Sequence, residues 1–271
     1  MFRRLYFFIL LQNSLLLADF SVTPLLLEFA AEENKPQTLH FTVRNTGKKE
    51  TEMHLYGRDF LMQENGQEVE YDPKSQERSC AQWMTYAPSE NFLLQPGEEQ
   101  DIRVSMSPEK NASGIFWSKL FVEEAQAPSP ISKEEGSHHV QLLIKQRWEV
   151  RLHQVFPGTL DKSLAIQDMH IEGKEDRSLD INIAVSNQGS GLLRCQGALE
   201  IKDMEGNALQ TLPLGSNGRF GLYPKMERKL HLKAKALEDG EYVALLVLDY
   251  GADQLMAGEL EFSIGNEEHD D

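Results

Sequence analysis

The feature that most constrains this chain is an alternation of apolar and polar side chains with period two, which recurs along most of its length and never gives way to a sustained helical period. Side chains on an extended strand point to opposite faces in turn, so this pattern specifies strands that bury one face. In the run from Thr38 to Asn45, Leu39, Phe41 and Val43 fall on one face, and Thr38, His40, Thr42 and Arg44 on the other. Leu179, Ile181, Ile183 and Val185 repeat the pattern against Asp180, Asn182 and Ala184. Between the runs lie turn formers: Glu64-Asn65-Gly66-Gln67, Gln95-Pro96-Gly97-Glu98, Asn187-Gln188-Gly189 and Glu205-Gly206-Asn207. Gly, Asn and Pro supply the backbone angles that reverse a chain, so antiparallel sheets are expected.

The first residues follow a different logic. Arg3 and Arg4 precede the apolar run Leu5 to Leu11, and Leu15 to Ala18 continues it to a small residue, the layout of a secretory leader. A membrane anchor is the alternative. Gln12, Asn13 and Ser14 interrupt a stretch already short of the roughly 20 apolar residues that span a bilayer. Cleavage after Ala18 is expected, leaving an exported, soluble chain with no membrane insertion. The formal charge is -16, and removing Arg3 and Arg4 takes it to -18. Such acidity argues against nucleic acid and anionic membranes, which reward Lys and Arg.

The remaining length suits two ordinary domains. Residues 1-18 are assigned to the signal peptide, 19-157 and 158-265 to the two domains, and 266-271 to an acidic tail. The break is placed after the longest alternation, where Phe156-Pro157-Gly158 ends it. In the second block, Tyr242 follows the turn Glu238-Asp239-Gly240 at the head of an apolar strand. That position suits the tyrosine corner of Greek-key sandwiches, whose hydroxyl returns to upstream backbone. The fold class expected is therefore all-β, with two immunoglobulin-like β-sandwich domains in tandem after the signal peptide. Cys80 and Cys195 fall in different domains and are read as separate thiols, because a bridge needs close, suitably directed Cβ atoms.

The stretch Val140 to Leu152 puts Val140, Leu142, Ile144, Trp148, Val150 and Leu152 on one face, interrupted at Gln146. It exceeds the usual strand length of about five or six residues, so part of it is expected to run beyond its neighbours. The polar segment Ala125 to His139 before it, with two prolines and no apolar period, reads as a flexible loop.

Taken in order, a Trp-bearing segment, the turn Leu94-Gln95-Pro96-Gly97-Glu98, the strand Ile102 to Met106 and the strand Gly114 to Val122 resemble the first domain of periplasmic pilus (fimbrial) assembly chaperones. Val185-Ser186-Asn187-Gln188-Gly189, Gly221-Leu222-Tyr223-Pro224-Lys225 and Asp239-Gly240-Glu241-Tyr242 resemble the second domain of broader chaperone-like relatives. The resemblance implies a periplasmic protein that lends the last strand of its first domain to an incomplete immunoglobulin-like or extended β-partner. Its partners would be a pilus-like or other β-rich subunit, with an outer-membrane usher as a further candidate, and its role the assembly of a surface fibre or secreted structure. Val140, Leu142 and Ile144 would be the side chains offered; filling their own domain's core is the competing role. Such chaperones also hold the partner's terminal carboxylate with an Arg on the first strand and a Lys on the last. Here Ser21 to Phe29 contains neither, and the aligned position falls near Leu26. On the last strand Lys145, Arg147 and Arg151 are available, Arg151 closest to the expected register. Val140, Leu142, Ile144, Arg147 and Arg151 are thus the candidate partner-binding residues of a divergent relative.

No enzyme, cofactor or metal is expected. The chain has no Gly-rich phosphate loop, G-x-S-x-G elbow, H-E-x-x-H or Cys-x-x-Cys. His138-His139 lacks further ligands at metal spacing. Asn111-Ala112-Ser113 matches the glycosylation pattern, a match by chance if the source is bacterial. Two other classes stay open: a structural component of an envelope or adhesion assembly, and a carbohydrate-binding module. The second needs an exposed aromatic platform, whereas Trp83, Trp117 and Trp148 sit among apolar neighbours. N-terminal sequencing of the exported protein should start at Asp19; retention of residues 1-18 would show an anchor instead.

Overall fold

The structure, a computed structural model, describes residues 19–30, 35–126, 131–135, 138–142 and 145–265. The expected leader, the acidic tail and Ile144 lie outside these residues. Among the described residues all regular structure is β apart from two single 3-10 turns, at Ala81–Trp83 and Pro157–Thr159. Among the described residues no helix is long and apolar enough to cross a membrane.

Two sheets make the first sandwich. One runs in the order β1 (Phe20–Thr23), β3 (Gln37–Asn45), β8 (Glu99–Met106), β6 (Met84–Ala87). The other runs β2 (Leu26–Ala30), β12 (Arg147–Phe156), β9 (Gly114–Glu124), β4 (Thr51–Met62), and the free side of β4 takes β5 (Glu68–Tyr71) at one end and β7 (Asn91–Leu94) at the other. The expected single strand Ser21 to Phe29 is two strands in two sheets. Pro24, with no N–H to give a ladder, separates β1, antiparallel to β3, from β2, parallel to β12. Between the sheets lies a core of Phe29, Phe41, Val43, Leu55, Ile102, Val104, Leu120, Val122, Val150 and Leu152.

The second sandwich faces β13 (Leu164–Gly173), β14 (Leu179–Asn187) and β18 (Glu227–Ala234) against β16 (Ala208–Pro213), β15 (Leu193–Asp203), β19 (Gly240–Asp249) and β20 (Met256–Ile264), with β17 (Arg219–Leu222) also on β15. Its core includes Ile181, Ile183, Val185, Leu199, Ile201, Leu246 and Leu248. The Tyr242 hydroxyl donates to the carbonyl of Glu238 at 2.8 Å, so the tyrosine corner is present. Cys80 lies in the first core and Cys195 in the second, both as free thiols, and burial pushes each up to about 12.

The long strand expected over Val140 to Leu152 is divided. Its second half is β12, which pairs with β9 from Arg147↔Glu123 onward. β9 itself ends at Glu124. The first half instead forms β11 (His138–Leu142), which pairs with β10 (Ile131–Glu135) in a separate two-stranded ribbon. The segment expected to be an unstructured loop therefore contains a hairpin, closed by backbone pairing that needs no apolar period.

The two sandwiches repeat one buried device. At the end of β3, the Asn45 side-chain amide donates to the carbonyls of Lys49 and Leu94 at 2.7 and 2.9 Å, while its oxygen accepts the Gly47 N–H at 2.9 Å. At the end of β14, Asn187 donates to Gly191 and Leu222 at 2.8 and 2.9 Å and accepts from Gly189 at 2.9 Å. Each side chain thus satisfies three backbone groups where a strand turns away from its sheet. Leaving such groups unpaired costs about 1–3 kcal/mol each. Asn187→Ala should lower unfolding free energy by about 2–4 kcal/mol, measured by urea denaturation, and Asn187→Asp, which loses both donors, should not restore it.

Candidate functional site

The outer face of the β4–β9–β12 sheet carries Arg147 and Arg151, two of the five residues expected from the sequence to bind a partner. Along β12 the even residues Val150 and Leu152 enter the core, so the odd residues Arg147, Glu149, Arg151 and His153 line the other face. β9 adds Trp117, Lys119, Phe121 and Glu123, and β4 adds Tyr56, Arg58 and Phe60. Register aligns these into rows. Lys119 stands directly opposite Arg151 on one side and Arg58 on the other; Phe121 stands between Glu149 and Tyr56.

Three cations abreast would repel one another. The β4–β5 hairpin supplies the counter-charge. Glu68 receives Lys119 at 2.5 Å and Arg151 at 2.5 Å, and Glu149 receives Lys119 at 2.8 Å and Arg151 at 2.9 Å. Arg58 pairs with Asp72 at 2.6 Å. Arg147 grips Glu70 with two bonds of 2.7 and 3.2 Å, its guanidinium 4.2 Å from the Phe121 ring centre. Lys119 is only 2 % exposed, its ammonium 4.5 Å from the centre of Phe60. Burial alone would raise the Glu68 carboxyl, but the Lys119 hydrogen bond and the Arg151 and Lys119 charges outweigh it and hold Glu68 below the usual carboxylate range.

The second domain closes the lower end of this face. Tyr223, between β17 and β18, inserts into a pocket of Phe60, Ile115, Trp117 and Val155. Its ring centre lies 4.6 Å from Trp117 and meets Phe60 edge-on at 5.4 Å, contacts worth about 0.5–1.5 kcal/mol each beyond their burial. The Tyr223 hydroxyl is 3.0 Å from His153 Nε2, and His153 Nδ1 lies 3.8 Å from Glu28. Burial pushes His153 down to about 4, although the Glu28 charge opposes it. Glu28 in turn meets Arg194 of β15 at 2.8 Å. Close backbone approach adds a steric condition. Gly114, at φ +80, has the Ser190 carbonyl where a Cβ would stand 2.8 Å away, and Ile115 N–H donates to that carbonyl at 3.1 Å. Domain docking therefore excludes a side chain at 114.

The candidate residues from the sequence divide accordingly. Arg151 pairs in register with Leu26, the position where a second basic residue was sought, but both Arg147 and Arg151 are ion-paired within the chain. Val140 and Leu142 lie on β11, away from the cation row along the chain, and Ile144 lies outside the described residues. Sequence reasoning missed Lys119, Glu68, Glu149, His153 and Tyr223. The signal available was a charged residue at Lys119 inside the apolar strand Gly114 to Val122. Asp59, a second fully buried charge, accepts from Ser75 and Gln76 N–H and from the Ser79 and Ser118 hydroxyls, all within 2.7–3.1 Å, which makes it a satisfied anchor for the following loop. Trp83 and Trp117 are buried and Trp148 is half-buried, so none forms an exposed platform for a sugar. Among the described residues no cluster of His, Cys, Asp and Glu could hold a metal ion.

No family model matches the chain, and no curated protein does. Solved structures resemble it over most of its length. The class 5 fimbriae chaperone CfaA aligns at 12% identity and a TM-score of 0.47, covering 89% of this chain and 98% of that one. A chain from the CsuC-CsuE chaperone-tip adhesion subunit complex of the archaic Csu pili of Acinetobacter baumannii aligns at 13% and 0.48, with 89% and 98% covered. The Pseudomonas aeruginosa CupB2 chaperone aligns at 10% and 0.40, with 90% and 100% covered.

His153 and Glu68 act in different pH windows. Unfolded His takes up its proton near 6.5 and folded His153 only near 4, so stability is highest above pH 6.5 and declines as pH falls from 6.5 to 4. Glu68 contributes fully above its unfolded value of 4.5, and that contribution is lost as pH falls through its lowered folded value. Denaturant midpoints from pH 7 to 3 should show His153→Gln flattening the upper window and Glu68→Gln flattening the lower one.

Proposed function

We propose that this protein is a periplasmic chaperone-like binder that captures an incomplete immunoglobulin-like or extended β-partner by donating an edge strand, and so assists assembly of a surface fibre or secreted structure. One observation carries the reading. β11 pairs only with β10 among the described residues, so the ribbon that leads into β12 presents two open backbone edges next to the last strand of the first domain. Unpaired N–H and C=O groups on such an edge are the docking element of strand addition, with alternate side chains filling the partner's pockets. Val140 and Leu142 stand at alternate positions of β11 and are assigned that role, with Ile144 next in the series. The partner is a pilus-like or other β-rich subunit, and an outer-membrane usher is a second candidate for contact.

The cation row has a subordinate place in this reading. Arg147 and Arg151 would meet the partner's anionic groups only by exchanging Glu70, Glu68 and Glu149 for them, so they tune the encounter while the ribbon supplies the attachment. In the domain division assigned here, 19-157 carries the donating strand and 158-265 supports it through Tyr223.

The test is capture of a β-sandwich subunit that lacks its last strand. The wild-type chain should keep that subunit soluble on dilution from denaturant and co-elute with it. Leu142→Glu with Ile144→Glu should reduce co-elution at least ten-fold while shifting the chain's own Tm by less than about 4 °C, since a change of 1 kcal/mol moves a domain of this size by that order. Undiminished capture by the double variant, or collapse of its fold, would exclude strand donation from this segment.

A further inference from the structure

Along one side of the second sandwich the edge strands β13 and β20 face each other with their apolar inner residues only partly covered. The inward residues of β13 that follow Leu164, namely Ile166, Met169 and Ile171, remain half-buried, and so do Met256, Leu260, Phe262 and Ile264 of β20. These are the facing edges of two different sheets, and among the described residues neither has a partner strand on its outer side. A groove of about 630 Å³ runs between them, lined by residues 164–169 and 256–260. β13 carries a bulge where its register skips from Ile166 to Asp168, turning the strand away at mid-groove. Gly258 lets Ile166 reach across: an added Cβ there would stand 2.9 Å from Ile166 Cδ1. The lips thus touch at Ile166 and come together again at the far end, where a Cβ added at Gly173 would stand 3.6 Å from Ile264 Cδ1.

Charge defines what fits. Neither β13 nor β20 has a Lys or Arg, while Asp168, Glu172, Glu259 and Glu261 stand on their exposed faces. Edge strands are usually guarded by lysine, and these two present carboxylates alone. We propose that this side of the second domain accepts one extended segment of a protein partner, with apolar residues at alternate positions and Lys or Arg between them, added to the open edge of β20. Its apolar side chains would cover Ile166, Met169 and Ile171, and its basic ones would meet Glu259 and Glu261. A second copy of this chain fits poorly, because pairing β20 with β20 brings two rows of glutamate together. The site is separate from β11, so it stands or falls independently of strand donation.

The probe is a labelled nine-residue peptide alternating Val with Lys, compared with the same peptide carrying Glu for Lys. Anisotropy titration of the full chain should give at least ten-fold tighter binding of the Lys peptide, weakening with salt, and hydrogen exchange should show new protection along 256–264. The variant Glu259→Lys with Glu261→Lys, both at exposed positions, should reverse the preference. Leu142→Glu should leave binding unchanged. Absence of binding, equal affinity for both peptides, protection elsewhere, loss of binding in Leu142→Glu, or a dimer built through β20 in sedimentation would each overturn the proposal.

Discussion

The row Arg58, Lys119 and Arg151 is the constraint around which the first domain is arranged. Backbone register leaves these cations side by side across three strands, and only carboxylates brought from outside the row can hold them there. Glu149 comes from the sheet itself; Glu68, Glu70 and Asp72 come with the β4–β5 hairpin. The hairpin is therefore fixed over the face by charge as much as by pairing. With Lys119 this deeply buried, removing Glu68 leaves a poorly compensated charge, and breaking such a pair costs far more than an exposed bridge contributes.

The same face sets the relation of the two sandwiches. Phe60, at the end of the row, touches both the Lys119 ammonium and the Tyr223 ring. Tyr223 also contacts His153, and His153 lies near the Glu28–Arg194 pair that joins β2 to β15. That last pair is mostly exposed and contributes at most about 1 kcal/mol. The aromatic insertion and the close fit at Gly114 hold the junction. Below β12 residue 152 both faces are buried, one by the core and one by the second domain, so the alternation disappears there.

Much of this was legible in residues. Leu39, Phe41 and Val43 stand on the inward side of β3 as their period predicts, with Leu39 only half-buried near the strand's start, and Tyr242 makes the corner bond that its place after a turn implies. The sequence marks Arg147 and Arg151 as candidates for partner binding, but not their neutralisation by Glu70, Glu68 and Glu149. Glu68 is 83 positions from Arg151, and nothing local marks the two as a pair. The division of Val140 to Leu152 was half visible in Gln146, which interrupts the apolar face, yet the segment's pairing with Ile131–Glu135 was not, because those residues carry no apolar period.

What the sequence determined by itself is the β character, the places where strands turn, and which face of each central strand is buried. These follow from local properties: side-chain alternation, the φ freedom of Gly and Asn, and the missing N–H of Pro. What only the tertiary structure decided is which cations are neutralised, where β12 begins, and that β13 and β20 come to lie as facing edges of the second sandwich. Those depend on register between strands far apart in the chain, where a slip of one residue would exchange every inward side chain for an outward one.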